Sequence, residues 1–268
     1  MRKIIIIILL FFLSNNLTNI NSPNTQSKLI IQDKEFSCTF SKHKLICHDI
    51  ELNKHYNINI LQDSVILSMA ISDIDYDGTD EILIISAIDK AIYGNDFIIY
   101  KPSYVKEEII MQEIYRNDFT KIKPWEIQVC NLDNDNIKDI YVGVYKSTPM
   151  FHTIENRPFF FNFDGEKLIK KWTGSKLEHS FSKIKFFDLI GNKNDELIVI
   201  EKLDDSREVI SVYYWLRFGF VKFAESYKYD NISDFQFIEI NNIKYIDVFQ
   251  NNNRSKSRIH LKGNKFIE

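Results

Sequence analysis

The stretch Asp73-Ile74-Asp75-Tyr76-Asp77-Gly78-Thr79-Asp80-Glu81, running straight into Ile82-Leu83-Ile84-Ile85, decides how this chain is read. Five carboxylates within nine residues repel one another unless a cation lies among them. The apolar run behind them has the length and β-branched content of a buried strand. The same frame returns as Asn131-Leu132-Asp133-Asn134-Asp135-Asn136-Ile137-Lys138-Asp139-Ile140 and as Asp188-Leu189-Ile190-Gly191-Asn192-Lys193-Asn194-Asp195-Glu196-Leu197. A loop-plus-strand unit repeating every roughly 57 residues falls in the range of four-stranded propeller blades.

The text around the loops supports that reading. Short β-rich runs alternate with Asn, Asp, Gly and Lys clusters, and sustained helical periodicity is missing. Each period divides into four strands with the acidic loop between the first two. The predicted fold is all-β: a single β-propeller domain over residues 28–268, with blades at about 28–63, 64–114, 125–177, 181–229 and 232–268. A four-bladed ring, with the N-terminal strands completing the last blade, is the alternative count.

The frame Asp-x-Asp-x-Asp-Gly-x-x-[Asp/Glu]-hydrophobic resembles the calcium loops of FG-GAP and VCBS-type repeat proteins, whose fold is a β-propeller related to integrin α-subunit heads. The resemblance covers about residues 64–250 and is carried by the loops; the Phe-Gly and Gly-Ala-Pro signatures that name the family are not evident. It implies a structural calcium. The oxygens of positions 1, 3 and 5, the carbonyl of 7 and the carboxylate of 9 suit a hard cation that takes 6 to 8 oxygen ligands. The first loop offers Asp73, Asp75, Asp77, the Thr79 carbonyl and Glu81, with Asp80 as an outer charge. The second offers Asn131, Asp133, Asp135, the Ile137 carbonyl and Asp139, with Asn136 in place of Gly because Asn tolerates left-handed geometry. In the third, Ile190 and Asn192 replace two ligand carboxylates, so no metal is expected and Asp188 and Glu196 are assigned to turn hydrogen bonds. An EF-hand is excluded, since Ile84 and Val142 stand where that loop needs its closing Glu.

The first residues, Met1-Arg2-Lys3 and then Ile4 to Leu13, have a cationic start and an apolar core too short to span a bilayer. Residues 1–22 are therefore expected to be a signal peptide, with an N-terminal anchor as the alternative. The mature chain is expected to be secreted or to reside in the periplasm or cell envelope, with no stable membrane span. A two-residue turn at Lys42-His43 would set Cys38 opposite Cys47 for a disulfide, which fits an oxidising compartment. Cys130 is assigned to the core.

A formal charge of −3 with dispersed Lys and Arg gives no footprint for nucleic acid. No nucleophile elbow, zinc-protease motif or phosphate loop occurs, and no catalytic residues are assigned. Trp125, His152, Arg157 and Trp172 flank the longest polar connections of the middle unit and could line a groove for a protein or glycan partner. The competing reading packs the Trp residues between blades and pairs Arg157 with Glu155 or a carbonyl. The expected function is an exported, calcium-stabilised binding or adhesion module. The alternative is an exported propeller hydrolase or lyase acting on polysaccharide, which would assemble carboxylates from separate blades.

Overall fold

A computed structural model describes residues 18–20, 27–250 and 255–268. The chain forms five antiparallel sheets, the blades of a β-propeller, and each blade is a meander of four consecutive strands. Blade 1 comprises β2 (Ser27–Ile31), β3 (Lys34–Ser41), β4 (Lys44–Asp49) and β5 (Lys54–Asn59). Blade 2 comprises β6 (Val65–Ser72), β7 (Glu81–Ala87), β8 (Asp96–Val105) and β9 (Glu108–Asp118). Blade 3 comprises β10 (Pro124–Cys130), β11 (Asp139–Lys146), β12 (Glu155–Phe163) and β13 (Leu168–Trp172). Blade 4 comprises β14 (Ser180–Phe187), β15 (Glu196–Lys202), β16 (Glu208–Trp215) and β17 (Phe220–Glu225). Blade 5 comprises β18 (Ile232–Ile240), β19 (Ile243–Gln250), β20 (Ser255–Lys262) and β21 (Lys265–Ile267).

Five blades, not four, are thus present, and the N-terminal strands make a complete sheet of their own. A further short strand, β1 (Thr18–Ile20), pairs antiparallel with β6 and adds to the inner edge of blade 2. Those three residues fall inside the segment expected to be a signal peptide; the rest of 1–22 lies outside the described residues.

Alternation along the strands explains the packing. Strand side chains point to opposite faces in turn, so a strand buried on both sides must be apolar throughout. β7 is buried at every position, while β3 alternates. Apolar clusters accordingly fill the seams between consecutive blades. Phe36, Leu45 and Met69 join blades 1 and 2, and Phe97, Ile127 and Phe161 join blades 2 and 3. Tyr141, Phe160 and Phe186 join blades 3 and 4, and Val212, Phe235 and Ile246 join blades 4 and 5. Each blade is too thin to bury apolar surface alone, and its neighbour supplies the other wall.

Cys38 and Cys47 are register partners in β3 and β4 and are disulfide-bonded, with Cα atoms 4.2 Å apart. Cys130 is free and buried in the seam between blades 3 and 4.

The third hairpin of blade 2 turns where no turn-forming residue marks it. β8 continues through Pro102, opposite Met111, and the chain reverses at Lys106-Glu107. Both of those residues take positive φ (50° and 60°), the geometry of a tight hairpin turn, in a pair that carries no Gly or Asn signal.

Gly143 shows how tightly the seam is built. A Cβ there would lie 2.7 Å from the Trp125 ring and 2.8 Å from the Tyr141 hydroxyl. Gly143→Ala should therefore destabilise the protein by about 1–3 kcal/mol through overpacking, measured as a lower denaturation midpoint in urea with an unchanged slope.

Candidate functional site: the acidic loops

Three connections of the same kind, first strand to second strand, emerge at one end of blades 2, 3 and 4, and their backbones repeat. Positions 4 and 6 are left-handed in each loop: Tyr76 and Gly78, Asn134 and Asn136, Gly191 and Lys193. The side chain at position 5 accepts the N–H of position 7 at 2.9 Å in all three: Asp77 from Thr79, Asp135 from Ile137, Asn192 from Asn194. The side chain at position 1 accepts loop N–H groups as well. Asp73 takes those of Asp77 and Gly78, Asn131 that of Asn134, and Asp188 those of Gly191, Asn192 and Lys193.

Position 9 is the buried anchor. Glu81 and Asp139 are fully buried and Glu196 nearly so. Each accepts the N–H of position 2: Ile74 at 3.0 Å, Leu132 at 2.9 Å and Leu189 at 2.8 Å. The apolar side chains at position 2 are themselves buried. One carboxylate thus ties the entry of each loop to the start of the second strand.

In loops one and two the remaining oxygens of positions 3 and 9 meet a lysine, joined in loop one by position 5. In loop one, Lys101 Nζ of β8 lies 2.6 Å from Asp75, 2.7 Å from Asp77 and 3.0 Å from Glu81. In loop two, Lys171 Nζ of β13 lies 2.9 Å from Asp133 and 2.7 Å from Asp139, and Asn162 donates to Asp139 at 2.8 Å. Burial disfavours the Lys101 ammonium, yet its hydrogen bonds to Asp75, Asp77 and Glu81 hold its pKa above the ordinary lysine value. The hydrogen bond from Lys101 in turn holds Asp77 below the usual carboxylate range. Burial pushes Glu81 up to about 7, with the Ile74 N–H and Lys101 pulling the other way.

Of the residues assigned to calcium, Asp73, Asp75 and Glu81 do bring carboxylate oxygens within 4.8 Å of one another. They do not fit the ion as they stand. Calcium needs 6 to 8 oxygens at about 2.3–2.6 Å, and here an ammonium already lies at hydrogen-bond distance from three of the assigned groups. In loop two the same place is taken by Lys171.

Position 8 has a part that the sequence reading missed. Asp80 accepts the Ile30 N–H at 2.6 Å and returns its own N–H to the Ile30 carbonyl at 2.8 Å, clasping blade 1. Asp195 does the same with Asn131, at 2.8 and 2.6 Å, clasping blade 3. The signal was in the repeat: Asp stands at position 8 in loops one and three, with no inward ligand role to explain it. In loop two the residue is Lys138, whose Nζ lies 5.6 Å from the centre of the Tyr76 ring. The three loops surround a polar cavity of about 560 Å³ lined by Asp73, Asp80, Lys138, Asp188, Lys193 and Asp195, among others.

The other proposed surface is not assembled. Arg157 is fully buried and donates to the carbonyls of Lys146, Phe151 and Thr153, with Glu155 at 3.1 Å; it organises the connection between β11 and β12 from within. Trp125 and Trp172 pack into the seam between blades 3 and 4, against Phe181 and against Phe160 and Phe220 respectively. His152 alone is exposed. Large rings gain more from burial than from lining a groove, and a guanidinium with five donors can satisfy a loop's carbonyls.

No protein-family model matches the sequence, and no curated protein is significantly similar to it. Among solved structures, the major allergen Mala s 1 of Malassezia sympodialis is similar at a TM-score of 0.49 and 11% identity, over 94% of this chain and 81% of that one. The assignment of five blades rests on the strand pairing itself.

Loop three gives a test of the buried anchor. Burial pushes Glu196 up to about 7 from an ordinary 4.5, with the Ile190 and Leu189 N–H groups pulling it down and Asp188 adding to the rise. The folded state therefore holds this proton more tightly than the unfolded one. Its stabilising contribution is full below about pH 4.5 and is lost as pH climbs to about 7. Glu196→Gln keeps an acceptor for both N–H groups and removes the charge. It should flatten the fall in stability between pH 4.5 and 7 and gain about 1–3 kcal/mol at pH 8, read from urea unfolding across that range.

Proposed function

We propose that the chain is an exported five-bladed propeller working as a binding module for a protein partner, which it meets with the connections at the end opposite the acidic loops. The observation that carries this reading is a group of exposed apolar side chains on neighbouring second-to-third-strand connections. Ile88 (67% exposed) and Ile92 (77%) belong to blade 2, and Met150 (77%) and Ile154 (56%) to blade 3. Exposed apolar side chains gathered on adjacent loops favour contact with a partner.

The loops that bear them are braced. Tyr93 and Tyr145 stack face to face across the two blades at 5.4 Å, with Lys123 Nζ 5.6 Å from the Tyr93 ring. Gly94 donates to the Pro124 carbonyl, and Thr148 and Phe151 exchange backbone hydrogen bonds. A preordered apolar surface loses less entropy on binding. The cationic start with its apolar core, together with the Cys38–Cys47 disulfide, supports export.

The hydrolase alternative would place its chemistry in the acidic cavity. Against it, Asp73, Asp80, Asp188 and Asp195 each already accept backbone N–H groups, which suits them to holding loops and blades.

Photo-crosslinking side chains placed at Ile92 and at Met150 should give specific covalent adducts in the native host. The same groups at Ile137 and Phe218, which are exposed at the acidic-loop end, should not. Adducts confined to the Ile137 and Phe218 positions would reject the assignment of the binding face.

A further inference from the structure

The cations beside the acidic loops change from blade to blade in step with the acids. Two positions correspond by register in all three blades, and in blades 2 and 3 they supply the side chains that meet the buried carboxylate of position 9. The first lies across the sheet on the third strand, one step beyond the pairs Ile82↔Tyr100, Ile140↔Phe161 and Leu197↔Tyr213. It is Lys101 in blade 2, Asn162 in blade 3 and Tyr214 in blade 4. The second is the extra residue of a bulge that all three blades place on the fourth strand, where the register shifts at Ile99/Tyr100, Phe160/Phe161 and Val212/Tyr213. It is Ile114 in blade 2, Lys171 in blade 3 and Phe223 in blade 4.

Each blade whose loop has Asp at positions 3 and 5 therefore has one lysine at these two sites, supplied from a different strand each time. The blade whose loop has Ile190 and Asn192 has none; there Tyr214 and Phe223 meet edge to face at 6.2 Å. Two solutions to one charge problem, and no lysine at either site where positions 3 and 5 are uncharged, argue that these lysines answer to the acids; the remaining Asp188 of loop three pairs instead with Lys244 of blade 5 at 3.3 Å. In loop one the Lys101 ammonium donates to Asp75 at 2.6 Å and is ion-paired with Asp77 and Glu81 at 2.7 and 3.0 Å. The turn itself is closed by backbone N–H groups bonded to positions 1 and 5.

We propose that Lys101 and Lys171 are the resident cations of these two loops, standing where the frame would otherwise hold calcium, so that blades 2 and 3 close without metal. A divalent ion entering loop one must first expel the Lys101 ammonium from three carboxylates. The site is thus converted from metal-binding to self-neutralised by one residue far away in sequence.

Thermal unfolding and calorimetric calcium titration of the full chain test this. The wild-type Tm should be the same in excess chelator and in millimolar calcium, with no stoichiometric calcium uptake. Lys101→Met leaves the carboxylates unbalanced, so its Tm in chelator should fall by about 5 °C and recover on adding calcium, with one ion bound. Asp75→Asn in the Lys101→Met background should restore part of the loss in chelator and abolish the calcium response. A wild-type protein that binds calcium stoichiometrically, or whose Tm falls in chelator, overturns the proposal, and this measurement needs no variant to fold. So does a Lys101→Met protein that neither loses stability nor gains calcium binding.

Discussion

A carboxylate taken out of water must find something to replace its hydration, and blades 2, 3 and 4 are arranged around that constraint. Position 9 of each acidic loop sits in the core wall where the second strand begins. Its one oxygen receives the position-2 N–H, which sets the loop's entry and lets the apolar position-2 side chain plug the seam. What meets its other oxygen differs: Lys101 at Glu81, Lys171 with Asn162 at Asp139, and no cation among the described residues at Glu196. Burying an ion costs several kcal/mol unless a partner and hydrogen bonds compensate. Burial pushes both Glu81, beside Lys101, and Glu196 of blade 4, held by the Leu189 and Ile190 N–H groups, up to about 7.

The same end of the propeller is held together laterally by a second set of acids. Asp80 and Asp195 each form a two-way bond with the backbone of the preceding blade. These bonds resemble single rungs of a sheet ladder made between blades, and they complement the apolar seams beneath them. The acidic face is therefore a structural device with most of its carboxylates committed. The opposite end is braced by the Tyr93–Tyr145 stack and exposes Ile88, Ile92, Met150 and Ile154.

Much of this architecture is legible in the linear text. Alternation and turn chemistry locate the strands of all five blades, and the Lys42-His43 turn sets Cys38 opposite Cys47. The third hairpin of blade 2 is not legible, since Pro102 and Ser103 are residues of turn type inside a strand, whereas Lys106 and Glu107 adopt left-handed backbone without any compositional mark. Arg157, Trp125 and Trp172 were offered as a surface because polar and aromatic residues beside a long connection read the same whether they face out or in. Burial decides between the two, and burial depends on the neighbouring blade.

By itself the sequence determined the repeat, the turn-forming positions of each loop and the steady loss of carboxylates from the inward positions 1, 3, 5 and 9 across the three loops. These are local matters, fixed by residue type at spacings of a few positions. The tertiary structure alone decided what neutralises the acids. Lys101 is 26 residues from Asp75 and Lys171 is 38 from Asp133. Cross-strand register in one blade and a bulge in the other aim those side chains at the loops, and neither can be read from a run of residue types. A carboxylate binds whichever cation the fold brings within reach, and here the fold brings lysine.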